Sequence, residues 1–284
     1  MRLRTLPVSV AGVIAAAGYA LHDGTFHIIP AVICLIFAIL CQIASNFANE
    51  YYDYRAGRDA AGREGPRRGV TEGDITPAAM KRAVFATLGV AALFGLSLVY
   101  WGGWWLIAAG IAIGLGAMAY SAGPFPLSTH CLGEVAVIAF FGVVPVNLTY
   151  YVMSGTFTNG VLLGSLAIGL LGANVLIVNN TRDIPDDRRA GKHTLATAFG
   201  VRAMQALYLA NALGALLLTG AAWRGGSINL FAVPLIVLMV AIRITVALGS
   251  LKGHRLNPYL GITSLLMLAY TVALAIRLAT TCTQ

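Results

Sequence analysis

Long apolar segments recur along this chain, and each is close to the length that crosses a lipid bilayer. A helix needs roughly 20 apolar residues, with a range of about 17 to 25, to span the hydrocarbon core. Only 11% of the 284 residues are charged, whereas a soluble domain has about 25%. The pattern predicts an all-α, polytopic membrane protein in which residues 1–284 form one domain around a central cavity. The predicted spans are 5–21, 28–52, 80–100, 104–120, 132–153, 160–181, 202–223, 229–248 and 258–278.

The basic residues predict how these nine spans are oriented. If the N-terminus is cytoplasmic, every Lys and Arg among the 19 except Arg224 and Arg277 lies at a cytoplasmic end or loop. Such an asymmetry follows the positive-inside rule. We therefore expect a protein of the cytoplasmic (inner) membrane whose N-terminus and active site face the cytoplasm and whose C-terminus lies on the opposite side. Because these basic residues are scattered over loops, the formal charge of +8 does not indicate nucleic-acid binding.

Two polar clusters follow the second and sixth apolar spans on the predicted cytoplasmic side. Helical spacing places Asn46, Asn49 (or Glu50) and Asp53 on one face of a helix. Gly57 is expected to end that helix, so that the chain curls back after it, and Pro185 is expected to interrupt the second. The matching placement of the clusters suggests that they face each other across the cavity. Their candidate ligands are Asn49, Asp53 and Asp59 in the first, and Asn179 or Asn180, Asp183 and Asp187 in the second.

The chemistry of these side chains suggests a magnesium and diphosphate site. Carboxylate and amide oxygens suit Mg²⁺, which prefers to be shared with phosphate oxygens. Nearby basic residues would bind the remaining phosphate oxygens. A simpler interpretation is that the acids only pair with neighbouring arginines at the membrane interface. Two such clusters on one membrane face favour the metal site over this interpretation. The candidate basic residues are Arg55, Arg67, Arg68, Arg182 and Lys192.

Three further features belong to this predicted site. Tyr120 is one of several aromatic residues near the clusters whose ring face can stabilise a cation. Glu134 begins the fifth span and is a candidate proton acceptor or support for the metal site. The segment 62–75 is too long and charged for a tight turn, and we expect it to form a lid over the cytoplasmic mouth. Elsewhere, Gly110 and Gly114, four residues apart, predict close packing between helices.

Several motifs together resemble the UbiA superfamily of intramembrane prenyltransferases. They include the NxxxD pattern of Asn49 and Asp53, the later Asp59, and the DxxxD pattern of Asp183 and Asp187. Further stretches are similar to the branch that prenylates 1,4-dihydroxy-2-naphthoate. They are RTLP at 4–7, GPRRGV at 65–70, LGE at 132–134 with FFG at 140–142, NNTRD at 179–183 and GKHTL at 191–195.

The resemblance implies a reaction and roles for these residues. Members of that branch transfer a polyprenyl group from polyprenyl diphosphate to the naphthoate ring with loss of carbon dioxide, on the route to demethylmenaquinone in menaquinone biosynthesis. It implies Mg²⁺ and diphosphate ligands at Asn49, Asp53, Asp59, Asp183 and Asp187, of which the three acids Asp53, Asp183 and Asp187 are predicted to be catalytic together with Lys192. It implies diphosphate or lid contacts for Arg67, Arg68, Arg182 and Lys192, and we place Tyr120 with the substrate.

Two departures from the family pattern and two alternatives bear on this hypothesis. Glu50 stands where many relatives have Asp, which suggests a role behind the direct ligands. The loop 121–131 has no Lys or Arg, unlike many relatives that prenylate hydroxybenzoate, and this favours the naphthoate acceptor. Another aromatic acceptor, such as 4-hydroxybenzoate or homogentisate, is the alternative within the enzyme class. A secondary transporter is the alternative of another class, although the acids lie at one face rather than at midspan.

Overall fold

The computed structural model describes residues 6–59, 67–224 and 232–281, and in these ranges every regular element is helical. The only β-type pairing among them is an isolated bridge between His130 and His193. The main helices are α1 Leu6–His22, α2 Ile28–Arg55, α3 Pro77–Gly102, α4 Trp105–Ala119, α5 Gly133–Ser154, α6 Asn159–Arg182, α7 Leu195–Leu218, α8 Ala232–Ser250 and α9 Asn257–Ala279. The all-α prediction is confirmed for the described ranges.

Seven helices in the described ranges are long and apolar enough to cross a membrane, and the chain is an integral membrane protein. The two remaining apolar helices, α1 and α4, have 17 and 15 residues. The prediction of nine crossings therefore stays a prediction. The predicted span 202–223 begins just after Gly200, whose non-helical backbone (φ 76°, ψ 179°) breaks α7. The short stretch before this break starts at Leu195, where the side chains of Thr194 and Thr197 form a capping box.

Helix α6 lies at the centre of the bundle. Of its most apolar stretch 72% is buried, more than in any other candidate span of the described chain. It packs against α1, α5, α7 and α9, and α1 in turn packs closely along α9. A helix that is apolar on all sides is stable when neighbours surround it, which explains why α6 occupies this position. The two ends of α6 therefore have fixed positions, and its C-terminal end carries the second polar cluster.

Small residues allow the closest helix crossings, but not at the predicted pair. A Cβ added to Gly142 of α5 would lie 2.5 Å from Gly169 Cα of α6, and one added to Gly18 of α1 would lie 2.5 Å from Ala275 Cα of α9. By contrast, a Cβ at Gly110 or Gly114 would have no atom of the described structure within 4 Å. The expected close contact at Gly110 and Gly114 is therefore wrong. Helix α4 presents Gly110 to the central cavity instead.

The α5–α6 crossing gives a stability prediction. We expect Gly142→Ala to lower the unfolding temperature in detergent, because the added methyl group meets backbone atoms and overpacking of this kind costs about 1–3 kcal/mol. Gly89→Ala in α3 is the matched control, since its added methyl group meets no atom within 4 Å in the described structure and alanine favours helix. Equal unfolding temperatures for the two variants would contradict the close crossing.

Candidate functional site

The two polar clusters meet at Lys192. The Lys192 ammonium donates to Asp53 Oδ2 at 3.0 Å and lies 4.0 Å from Asp187 Oδ1. Asp53 belongs to the last turn of α2, whereas Asp187 belongs to the short helix Ile184–Arg189 that follows α6. Both acids are buried. One cation therefore joins the two clusters that the sequence pattern predicts to face each other.

The backbone around Lys192 fixes its position. Lys192 N donates to Asp187 O at 2.8 Å, and the next residue, His193, pairs with the loop that precedes α5. In that pairing Cys131 N donates to His193 O at 2.8 Å and His193 N donates to Thr129 O at 3.2 Å. The loops before α5 and α7 are thus tied together beside the site, which limits where the Lys192 side chain can reach.

Arg68 organises the first cluster. Its NH2 group donates to Asn49 Oδ1 at 2.9 Å and lies 3.6 Å from Asp53 Oδ2, and its Nε lies 3.3 Å from Asp59 Oδ2. The amide nitrogen of Asn49 donates to Ser121 Oγ at 3.0 Å. The Arg68 side chain is only 3% exposed, so these contacts form within the protein interior. A single guanidinium group therefore connects all three predicted ligands of this cluster.

The end of α2 explains how Asp59 reaches this group. The helix ends at Arg55, and Gly57 adopts a φ of +66°, a conformation that suits glycine. The chain then turns back, and Arg58 N donates to Asp53 O at 2.9 Å. The predicted helix stop at Gly57 is confirmed, and so is the return of Asp59 from the loop.

Arg182 organises the second cluster. Its Nε lies 2.7 Å from Asp183 Oδ1 and its NH2 lies 2.8 Å from Asp183 Oδ2, a bidentate ion pair. The same guanidinium donates to Asn179 Oδ1 at 2.8 Å and to Asn257 Oδ1 at 2.9 Å. Both Arg182 and Asp183 are buried. The contacts hold Asp183 in place and join the end of α6 to the start of α9.

The structure places the three remaining predicted residues, Pro185, Tyr120 and Arg67, in different surroundings. Pro185 lies in the first turn of the short helix after Asp183, so the regular α6 helix is interrupted as expected. Tyr120 follows α4 and lines the cavity. Arg67 lies outside the buried group: its side chain is 68% exposed and pairs with Asp74 at 2.9 Å. The structure therefore does not bring Arg67 to the acids of the two clusters, and its contact with diphosphate stays a prediction.

A central cavity of about 220 Å³ opens from the polar clusters. Asn49, Asn179 and Tyr120 line its polar end. Along α2 the lining continues to Cys34, which lies about 22 Å from Asn49 at 1.5 Å per helical residue. The far end is apolar and packed; its side chains are Val13, Cys34, Leu98, Leu106 and Val152. The site thus combines a neutral polar end, next to the charged clusters, with a long apolar channel.

Glu134 lies beside the second cluster. Its Oε1 accepts a hydrogen bond from the amide nitrogen of Asn180 at 3.0 Å, and both side chains are buried. Asn180 follows Asn179, which lines the cavity and accepts from Arg182. Glu134 therefore holds the C-terminal end of α6 through a hydrogen bond from the uncharged Asn180 side chain. The two roles predicted for it, proton acceptor and support for the metal site, stay predictions.

The oxygen donors of the clusters fit magnesium shared with a phosphate ligand rather than an all-protein metal cage. In the ranges that the structure describes, no three His, Cys, Asp or Glu side chains are grouped to hold a metal ion. Carboxylates and asparagine oxygens instead alternate with Arg68, Arg182 and Lys192. Mg²⁺ is commonly bound by one or two protein carboxylates together with substrate phosphates. The donor set is compatible with that mode of binding.

Comparison with known proteins identifies the family. Residues 10–255, most of the chain, match the UbiA prenyltransferase family. The chain belongs to this family. The resemblance to this family described from the motifs is therefore confirmed.

Curated relatives within the UbiA family share much of the sequence. A protein of Mycobacterium tuberculosis is 36% identical over 286 residues, covering 98% of this chain and 94% of the relative. A protein of Escherichia coli K12 is 38% identical over 209 residues, covering 70% of this chain and 67% of the relative. Each is named 1,4-dihydroxy-2-naphthoate octaprenyltransferase.

Solved UbiA structures share the fold. An apo UbiA homologue from Aeropyrum pernix K1 aligns with a TM-score of 0.70 and 16% identity, covering 98% of both chains. A UbiA homologue from Archaeoglobus fulgidus, described as bound to DMAPP and Mg²⁺, aligns with a TM-score of 0.65 and 17% identity. That alignment covers 96% of this chain and 98% of the homologue. At these identities the likeness establishes the UbiA fold.

The buried Arg182 gives the prediction for this site. We expect Arg182→Ala to lower the free energy of unfolding by about 3–5 kcal/mol, because the buried Asp183 carboxylate loses its guanidinium partner. Arg67→Ala is the control; its exposed ion pair with Asp74 contributes about 1 kcal/mol at most. Denaturant titration in detergent micelles measures both. A similar effect of the two substitutions would show that the Arg182 network does not stabilise the fold.

Proposed function

We propose that this UbiA-family protein transfers a polyprenyl group from polyprenyl diphosphate to 1,4-dihydroxy-2-naphthoate, with loss of carbon dioxide, in menaquinone biosynthesis. The relative that carries this name and is 36% identical across nearly the whole chain is the main support. In this reaction the bond between the first prenyl carbon and diphosphate breaks, a carbon–carbon bond to the ring forms, and the ring loses its carboxylate. The site therefore has to bind a diphosphate, an apolar tail and an aromatic acid together.

The polar clusters would bind the diphosphate end of the substrate. Asn49, Asp53, Asp59, Asp183 and Asp187 are the proposed ligands of Mg²⁺, which when bound neutralises diphosphate charge and makes diphosphate a better leaving group. Lys192 and Arg68 already lie against these carboxylates. They are positioned to bind phosphate oxygens by charge-assisted hydrogen bonds. Arg182 would act indirectly, by orienting Asp183. Arg67 would contact the diphosphate only if its loop moved inward.

The apolar cavity would hold the prenyl tail. Consecutive Cα atoms are joined by three bonds and lie about 3.8 Å apart. At the same length per bond, an isoprenoid unit, which adds four bonds to its chain, extends about 5 Å. The length of α2 that lines the cavity therefore corresponds to about four units. A longer tail would have to leave between the helices toward lipid. The aromatic acceptor would lie at the polar end near Tyr120, where a ring face stabilises the developing allylic cation.

The membrane arrangement that accompanies this function has nine crossings in the cytoplasmic membrane, with the clusters and the N-terminus on the cytoplasmic side and the C-terminus opposite. The distribution of Lys and Arg supports this orientation. Residues 62–75 would form a lid. Residues 60–66 lie outside the described ranges, but the described part of this segment brings the buried Arg68 to the acids.

The reaction is tested with purified protein, polyprenyl diphosphate and a panel of aromatic acids. We expect transfer to 1,4-dihydroxy-2-naphthoate that requires Mg²⁺ and is abolished by a chelator. Asp53→Asn and Asp187→Asn should each lower kcat by about a hundredfold or more, the scale expected when one preorganised group that stabilises charge is lost. Asp186→Asn is the matched control, because Asp186 neighbours Asp187 but pairs with the exposed Arg189.

Three outcomes would contradict this proposal: transfer that persists without divalent metal, equal activity of the Asp53 and Asp186 variants, or a preference for 4-hydroxybenzoate. The quinone content of cells lacking the protein distinguishes the acceptors independently. Loss of menaquinone agrees with the naphthoate, whereas unchanged menaquinone with missing ubiquinone indicates hydroxybenzoate. Solute flux in proteoliposomes without chemical change would support a transporter.

The depth of the cavity gives a second prediction. Ala38 lines the cavity 11 residues before Asn49, about 16 Å along α2, a distance of roughly three isoprenoid units. We expect Ala38→Phe to lower kcat/KM for eight-unit diphosphate by about tenfold or more while changing the value for two-unit geranyl diphosphate little. Ala108→Phe, on the exposed side of α4, is the control. An equal loss with both tail lengths would show that α2 does not line the tail channel.

A further inference from the structure

The turn formed by residues 68–75 is a folded unit with its own backbone hydrogen bonds. Glu72 N donates to Arg68 O at 3.0 Å, Gly73 N to Val70 O at 3.3 Å, and Ile75 N to Gly69 O at 3.0 Å. A segment closed in this way moves as one piece when its attachment changes. Its attachment to the helices therefore decides where Arg68, the first residue of the turn, can reach.

Two attachments hold this turn against α2. The Val70 side chain is buried and packs with Tyr51 of α2 and Met80 of α3. The Val70 backbone N–H donates to Glu50 Oε1 at 3.0 Å, and Glu50 is itself buried. An added Cβ at Gly69 would lie 3.5 Å from the same Glu50 oxygen, so the turn lies directly against that carboxylate.

Glu50 and Asp53 are close in sequence but face different partners. Asp53 contacts Lys192 and Arg68 in the buried cluster. Glu50 accepts from the backbone of the turn that carries Arg68. Because Arg68 is only two residues before Val70, the hydrogen bond to Glu50 fixes the position from which its guanidinium reaches Asn49, Asp53 and Asp59.

We propose that Glu50 is a positioning residue of this enzyme: its carboxylate holds the 68–75 turn through the Val70 amide and thereby aims Arg68 at the diphosphate. A direct metal ligand is the competing role for an acid at this place in the sequence. The two roles differ in what they require of the side chain. Holding a backbone N–H requires only an acceptor oxygen, which glutamine also provides. For a direct magnesium ligand, the same change removes a negative charge from the metal site and weakens Mg²⁺ binding.

The experiment combines amide hydrogen exchange with kinetics on Glu50→Ala and Glu50→Gln in lipid nanodiscs. In Glu50→Ala we expect exchange in the peptide covering residues 68–75 to be faster by about tenfold or more, because the Val70 amide loses a charged acceptor. Glu50→Gln should restore slow exchange. Glu72→Gln is the control, since Glu72 is an exposed acid on the same turn, and it should leave both readouts unchanged.

The kinetic arm rests on the proposed prenyl transfer. Glu50→Ala should lower kcat/KM for prenyl diphosphate by about tenfold, and the Glu50→Ala, Arg68→Ala double variant should be no worse than Arg68→Ala alone, because Glu50 acts through Arg68. Glu50→Gln should recover most of the activity at an unchanged Mg²⁺ requirement.

The competing outcomes are distinct. If Glu50→Gln is as impaired as Glu50→Ala and needs more Mg²⁺, Glu50 is a metal ligand and the proposal fails. Unchanged exchange in Glu50→Ala also overturns it. Absence of transfer by the unmodified protein would instead refute the proposed function, and the exchange result would still decide whether Glu50 holds the turn.

Discussion

The structure depends on the neutralisation of buried acids where the membrane helices end. The side chains of Asp53, Asp59, Asp183 and Asp187 are all buried. Burying a carboxylate is costly unless an opposite charge and hydrogen bonds accompany it. Arg68, Lys192 and Arg182 supply that charge at 2.7 to 4.0 Å. Two of these cations come from loops, so neutralising the acids also folds the loops inward. The contacts that neutralise the acids therefore also set the positions of these loops.

The same arrangement separates the charged clusters from an apolar channel along a single helix, α2. Neutral polar residues, such as Asn49, Asn46 and Gln42, follow Asp53 along the cavity face of α2 before the lining becomes apolar at Phe37 and Cys34. Amide side chains carry dipoles without the cost of a buried charge, so polarity falls gradually. A substrate with a charged head and an apolar tail is aligned by this gradient, which places its reacting bond where the two regions meet.

Local sequence signals predicted much of this site. The apolar runs, the glycine stop at Gly57 and the interruption at Pro185 each depend on neighbouring residues, and each is present in the structure. The acidic clusters were also identified, since helical spacing and helix ends are local properties. The predicted span 202–223 begins just after the break at Gly200. The stretch before that break was not predicted, although the Thr194 and Thr197 capping box is a local signal that marks its start at Leu195.

Contacts between distant residues could not be predicted in the same way. Lys192 is 139 residues from Asp53, and Asn257 is 75 residues from Arg182, so only the packing of the whole bundle brings them together. For Gly110 and Gly114, in contrast, a contact was predicted that the structure does not have. Their spacing permits a close helix contact but does not say which helix face is turned toward a neighbour, and α4 turns Gly110 toward the cavity.

Arg182 and Lys192 differ in how firmly they are held, and this difference suggests which of the two moves when ligand binds. Arg182 binds Asp183 through two parallel contacts and two asparagines, and a planar guanidinium in such a network has little freedom. Lys192 instead places one ammonium group between Asp53 and Asp187 at 3.0 and 4.0 Å and is 12% exposed. A lysine is a flexible point charge that exchanges partners easily. Arg182 and Asp183 are therefore the fixed part of the site, and an incoming phosphate would draw Lys192 away from Asp53 and Asp187 while Asp183 stays in place.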